Sequence, residues 1–127
     1  MQLSFDYDSS YFPALPVAEI TIRSTKTSRE VSVTGLIDSG ADATQIPLSI
    51  LHTIGARKLD ERWVRDLSEV RFLAPLYAVE IRLGPVVLYG MEVVGRNQTT
   101  EVIIGRDVLN QLIVTLNGLA FVKEIQD

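Results

Sequence analysis

The sequence contains no cysteine and a single histidine, His52. The first absence removes disulfides, thiolate metal sites and cysteine nucleophiles together. The second leaves too little imidazole for a multi-histidine zinc site. Neither a metal nor a cofactor is expected. Basic residues number 12 against 16 acidic ones, giving a net charge of −4 and a pI of about 5.0. Nucleic-acid binding needs a basic face, so no nucleic-acid partner is expected. No apolar run reaches the roughly 18 residues that a membrane helix needs, so no membrane partner is expected either. The opening residues, MQLSFDYDSSYFPALP, lack a basic segment followed by an apolar stretch. No signal peptide is read there, and a cytoplasmic, soluble protein is the expectation.

What remains is ordinary for one globular domain. The 127 residues are 46% hydrophobic and 22% charged, which argues against disorder and fits a single domain. Beta signals dominate. Ala18, Ile20 and Ile22 alternate with Glu19, Thr21 and Arg23, the period of a half-buried strand. The polar stretch 24–30 reads as a hairpin loop, and 31–38 as the returning strand. Pro47 opens a short apolar helical stripe through Leu48, Ile50, Leu51 and Ile54, ended by Gly55. His52 falls on it and reads as a surface residue. Residues 57–71 carry interspersed charges and read as a solvated loop or exposed hairpin. Strands are expected at 77–83, 86–94 and 101–104, and helical spacing at 106–112. A tight Asn117-Gly118 turn is expected between 113–116 and 119–122. Residues 1–17 read as an N-terminal extension, and 18–127 as the domain.

One segment points to chemistry. In Gly35-Leu36-Ile37-Asp38-Ser39-Gly40-Ala41-Asp42, an apolar strand delivers an aspartate into a tight Ser-Gly turn. A carboxylate buried there is costly unless it is bonded or paired. Small residues after it let another backbone approach. Asp-Ser-Gly alone is a common turn. A second segment, Ile103-Ile104-Gly105-Arg106-Asp107, follows 65 residues later, counting Gly40 to Gly105.

Together the two segments resemble the retropepsins, the single-domain, retroviral-type aspartic proteases. The resemblance runs over about residues 18–122. It implies an all-β fold, a closed barrel or sandwich with one short C-terminal helix, working as a homodimer on a peptide or protein substrate. Such chemistry needs two carboxylates near enough to share a proton. The chain has one Asp-Ser-Gly, so the resemblance places the second Asp38 on a partner chain, across a two-fold axis. Asp38 is then catalytic. Ser39, Gly40, Gly105 and Arg106 support the active-site loop, with Arg106 paired to Asp42. Gly40, Ala41, Asp42, Ala43 and Ile103 meet substrate. Asp107 reads as a charge at the start of a helix, not a second catalytic acid. Trp63 divides between ordinary packing and a place in the cleft.

The sequence departs from the family pattern at the hairpin flap. It should fall within about 62–76, with its tip at 66–69 or near Ala74-Pro75, yet no glycine lies between Gly55 and Gly84. An inactive or weakly active retropepsin-like module for dimerisation or peptide binding therefore stays open as the alternative. In viral members the chain ends form an intersubunit sheet, and residues 119–125 are expected to supply such a strand.

Overall fold

The computed structural model describes residues 2–65, 69–97 and 99–126. In chain order it has β1 (Gln2–Asp8), β2 (Leu15–Ser24), β3 (Glu30–Ile37), β4 (Gln45–Pro47), α1 (Leu48–Thr53), β5 (Arg57–Arg65) and β6 (Arg71–Leu83). Then follow β7 (Val86–Arg96), β8 (Val102–Ile104), α2 (Arg106–Leu109), β9 (Ile113–Asn117) and β10 (Val122–Gln126).

Six of these strands close into a barrel. The order β6-β7-β4-β8-β3-β2 is completed by a second pairing between β6 and β2. Closure follows from the alternation already visible in sequence. Ala18, Ile20 and Ile22 of β2 point inward and are buried, as do Val79, Ile81 and Leu83 of β6. Ile46, Leu51, Val93, Val102, Ile104 and Val108 fill the space between them. Each fully buried side chain of this kind contributes about 1.5–3 kcal/mol. Parallel pairing of β3 with β8, and of β4 with β7, brings the two sequence motifs onto neighbouring strands. No helix among the described residues is long and apolar enough to cross a membrane.

A smaller sheet leans on the barrel. β1 lies between β2 and β10, and β9 forms the outer edge. Residues 1–17, set apart in the sequence reading, thus carry β1 and the first residues of β2. The missed signal was the alternation of Leu3, Phe5 and Tyr7 with polar residues. Lys123 of β10 is fully buried beneath this sheet. Its Nζ donates to the Asp6 carbonyl at 2.8 Å and sits over the Phe5 and Tyr7 rings. Burial lowers its pKa to about 8, against the weaker opposing pull of Asp6.

Three local expectations change. The turn after β9 is longer than Asn117-Gly118, because Asn117 pairs with Val122 and leaves 118–121 in the loop. The Asn117 side chain accepts the Ala120 N–H at 3.1 Å, a local bond that competes with a two-residue turn. The helix expected over 106–112 stops after Leu109, with turn residues following. Pro47 caps α1 rather than opening it, with its ψ of 136° still extended.

Candidate active site

The carboxylate is delivered by the sheet. The ladder between β3 and β8 runs one step past the strand, with Asp38 N–H donating to the Ile104 carbonyl at 3.0 Å. The chain then turns on itself. Asp38 Oδ1 accepts the Gly40 N–H at 2.9 Å, and the Asp38 carbonyl accepts the Ala41 N–H at 3.2 Å. This is an Asx-type turn, which the Asp-Ser-Gly sequence favours. A Cβ on residue 40 would stand 3.2 Å from Asp38 Oδ1, so glycine keeps the carboxylate uncrowded. The expected buried carboxylate is not found in the single chain: Asp38, Ser39 and Gly40 are all exposed. The strand enters the core at Gly35, but the chain surfaces again before Asp38.

The second motif locks this turn from behind. At Gly105 a Cβ would lie 2.6 Å from the Ala43 carbonyl carbon and oxygen. Only a residue without a side chain lets the two backbones pass. Arg106 N–H donates to the Ala41 carbonyl at 2.8 Å. The Arg106 guanidinium bonds the Asp42 carboxylate, with side-chain exposures of 46% and 87%. A pair this open to water contributes at most about 1 kcal/mol.

The strongest bracket involves two residues, Thr44 and Asp107, whose sequence context marks no such role. Thr44 is fully buried. Its hydroxyl donates to Asp107 Oδ1 at 2.7 Å and accepts the Gly105 N–H at 3.1 Å. Its own N–H reaches both oxygens of Asp107 at 3.0 Å. Asp107 Oδ1 also accepts the Val108 N–H at 2.8 Å. Asp107 is therefore occupied as an acceptor, tying α2 to the end of the active-site loop. Its partner is 63 residues away, so no local pattern marks the bond.

Ala43 joins the site to the hairpin above it. Ala74, Leu76 and Val94 form a small apolar cluster, against which Ala43, Val64 and Phe72 pack. The hairpin is β5 and β6, paired from Arg57↔Ala78 to Arg65↔Arg71. Ala74 and Pro75 lie within this ladder, opposite Arg62 and Glu61, so they are not its tip. The other tip expectation, 66–69, lies mostly outside the described residues; Glu69 itself has a positive φ of 63°. Trp63 pairs with Leu73, on the opposite face from Val64 and Phe72, and is 59% exposed beneath the Arg71 guanidinium. Ile103 is half-buried on β8, in register with Leu36 and Gln45. His52 is exposed on α1, its Nε2 3.4 Å from the Tyr77 hydroxyl. Among the described residues no group of three His, Asp or Glu side chains gathers to hold a metal ion.

No family model and no curated protein matches the sequence. Solved structures do match. A retropepsin-like aspartic protease from Rickettsia conorii superposes with a TM-score of 0.68 at 8% identity, covering 98% of this chain and 90% of that one. The EIAV protease, in complex with the inhibitor HBY-793, superposes with a TM-score of 0.62 at 16% identity, covering 76% and 86%. The barrel, the loop bearing Asp38 and the covering hairpin together have the retropepsin-like aspartic protease fold.

Proposed function

We propose that the protein is an aspartic endopeptidase whose active site is completed by a second copy of the chain. The observation that carries this reading is a lone Asp38. It stands on a hydrogen-bonded turn at the exposed end of a barrel strand, braced from behind by Gly105–Asp107. Two such carboxylates meeting on a two-fold axis would share one proton, because like charges that close cannot both ionise. The ionised Asp38 takes a proton from water as the water oxygen attacks the peptide carbonyl carbon. The protonated Asp38 donates to the carbonyl oxygen. Collapse of the tetrahedral intermediate breaks the C–N bond, and a proton passes to the leaving amine. Ser39, exposed beside Asp38, would hold the partner's turn. Gly40 and Asp42 would meet the substrate backbone, with Ala41, Ala43 and Ile103 walling the pockets.

Peptide-library cleavage by the parent and by Asp38→Asn, with the assembly mass measured alongside, tests this. The parent should cut as a dimer, and the variant should lose about a hundred- to ten-thousandfold in rate while staying folded. Equal rates would overturn the mechanism. A second reading, a peptide-binding dimer that does not cut, is favoured by the absence of glycine between Gly55 and Gly84. It predicts peptide binding without products at any pH.

A further inference from the structure

One long-range side-chain bond lies two residues from Ile103, a residue assigned above to the pocket walls. In the β3–β8 ladder Leu36 is in register with Ile103, and Ile37 with Ile104. In a strand every second residue shares a face. Asp38, Leu36 and Ile103 therefore share one face, and Val102 and Ile104 turn into the core. Glu101 immediately precedes β8, and the alternation of burial runs through it: Glu101 exposed, Val102 buried, Ile103 half-buried, Ile104 buried, which puts Glu101 on the side of Ile103, roughly 7 Å away.

Glu101 is exposed, yet it is held in place. Its Oε1 accepts the Tyr11 hydroxyl at 2.8 Å, across 90 residues of sequence. Its N–H donates to Thr99 Oγ1 at 3.2 Å. The bond to Glu101 raises the Tyr11 pKa above its usual value, with burial and the charges of Glu101 and Asp8 adding to the effect. Among the described residues Glu101 has no cationic partner. A fixed carboxylate two residues from the apolar Ile103 side chain has a clear complement: a long apolar stem that lies along Ile103 and ends in a positive charge.

We propose that Glu101 sets the specificity of this cleft, favouring substrates with a lysine or arginine beside the scissile bond. Tyr11 acts through it, as a positioning residue. The inference rests on the protease reading above and names the substrate class for that site.

The test uses peptides that differ only by Lys, Leu or Glu at the residues flanking the cut. For the parent, kcat/KM should favour Lys over Glu by roughly three- to tenfold, and added salt should shrink the ratio. Glu101→Gln should bring the ratio to about one, and Glu101→Lys should invert it. Tyr11→Phe should give an intermediate ratio, which a purely structural role would not produce. A Lys/Glu ratio unmoved by both Glu101 variants overturns the inference. If no peptide is cut, the protease reading fails separately. Binding of the same peptides, read by fluorescence anisotropy, then decides: tighter binding of the Lys peptide, lost in Glu101→Gln, supports the inference, and equal binding overturns it.

Discussion

Thr44, under the active-site loop, is fully buried and exchanges hydrogen bonds with Asp107, Gly105 and Val94. Trp63, on the covering hairpin, is 59% exposed and stacks under an exposed arginine. The two regions meet through Ala43. The bonds of the first join residues about 50 to 63 positions apart, so its parts stand or fall together. The bonds of the outer hairpin join one strand to the next, with few buried contacts to reinforce them. Regions of that kind open locally at low free-energy cost, while densely bracketed ones open only with the whole domain. A cleft needs both. In the proposed protease the Asp38 carboxylate would gain from a fixed seat, and a substrate would gain from a cover that can admit it.

Substitutions can break or sharpen this contrast. The largest effect is expected for Gly105→Ala, whose methyl group would meet the Ala43 backbone at 2.6 Å. Backbone on both sides leaves nothing flexible to give way. A loss of about 3 kcal/mol is expected, or roughly 10 °C in Tm, with activity falling alongside. Next comes Thr44→Val, similar in shape but without the hydroxyl. It removes one bond to Asp107 and leaves the Gly105 N–H without its acceptor, at a cost of about 2 kcal/mol in urea titration. Thr44→Ser should recover most of it. The smallest effect is expected for Trp63→Ala, under about 1 kcal/mol. If Trp63→Ala cost as much as Thr44→Val, the hairpin would be as firmly built as the base, and the contrast would fail.

The sequence made the barrel legible where alternation is strict, as at Ala18–Ile22 and Tyr77–Leu83. The two motifs were legible as well, since glycine and small residues mark close backbone passage. Gly105 shows what that mark means: the space is already filled by Ala43. Less was visible where a residue's role depends on a distant partner. Asp107 looks like any acid at a helix start, and nothing near it announces Thr44. Tyr11 and Glu101 are ordinary loop residues until folding brings them within 2.8 Å. The turn at 118–121 misled for a different reason, a side-chain bond from Asn117 that competes with the tighter geometry. The exposure of Asp38 could not be read either, because the apolar run Gly35-Leu36-Ile37 does not reveal where the chain leaves the core.

The position of β1 has a consequence for how the molecule is made. Its ladder to β2 is two residue pairs long, and its ladder to β10 is five. β1 must wait for a partner strand made more than a hundred residues later. All six barrel strands lie between them in sequence. The barrel can therefore close during synthesis while Leu3 and Phe5 still lack a sheet. Closing so long a loop adds little to the equilibrium cost, but late, non-local pairing slows the last step. A nascent chain stalled before Val122 would carry a complete barrel, β1 held to β2 by only two residue pairs and β9 without its partner, the state in which this protein is most open to sticking to its neighbours.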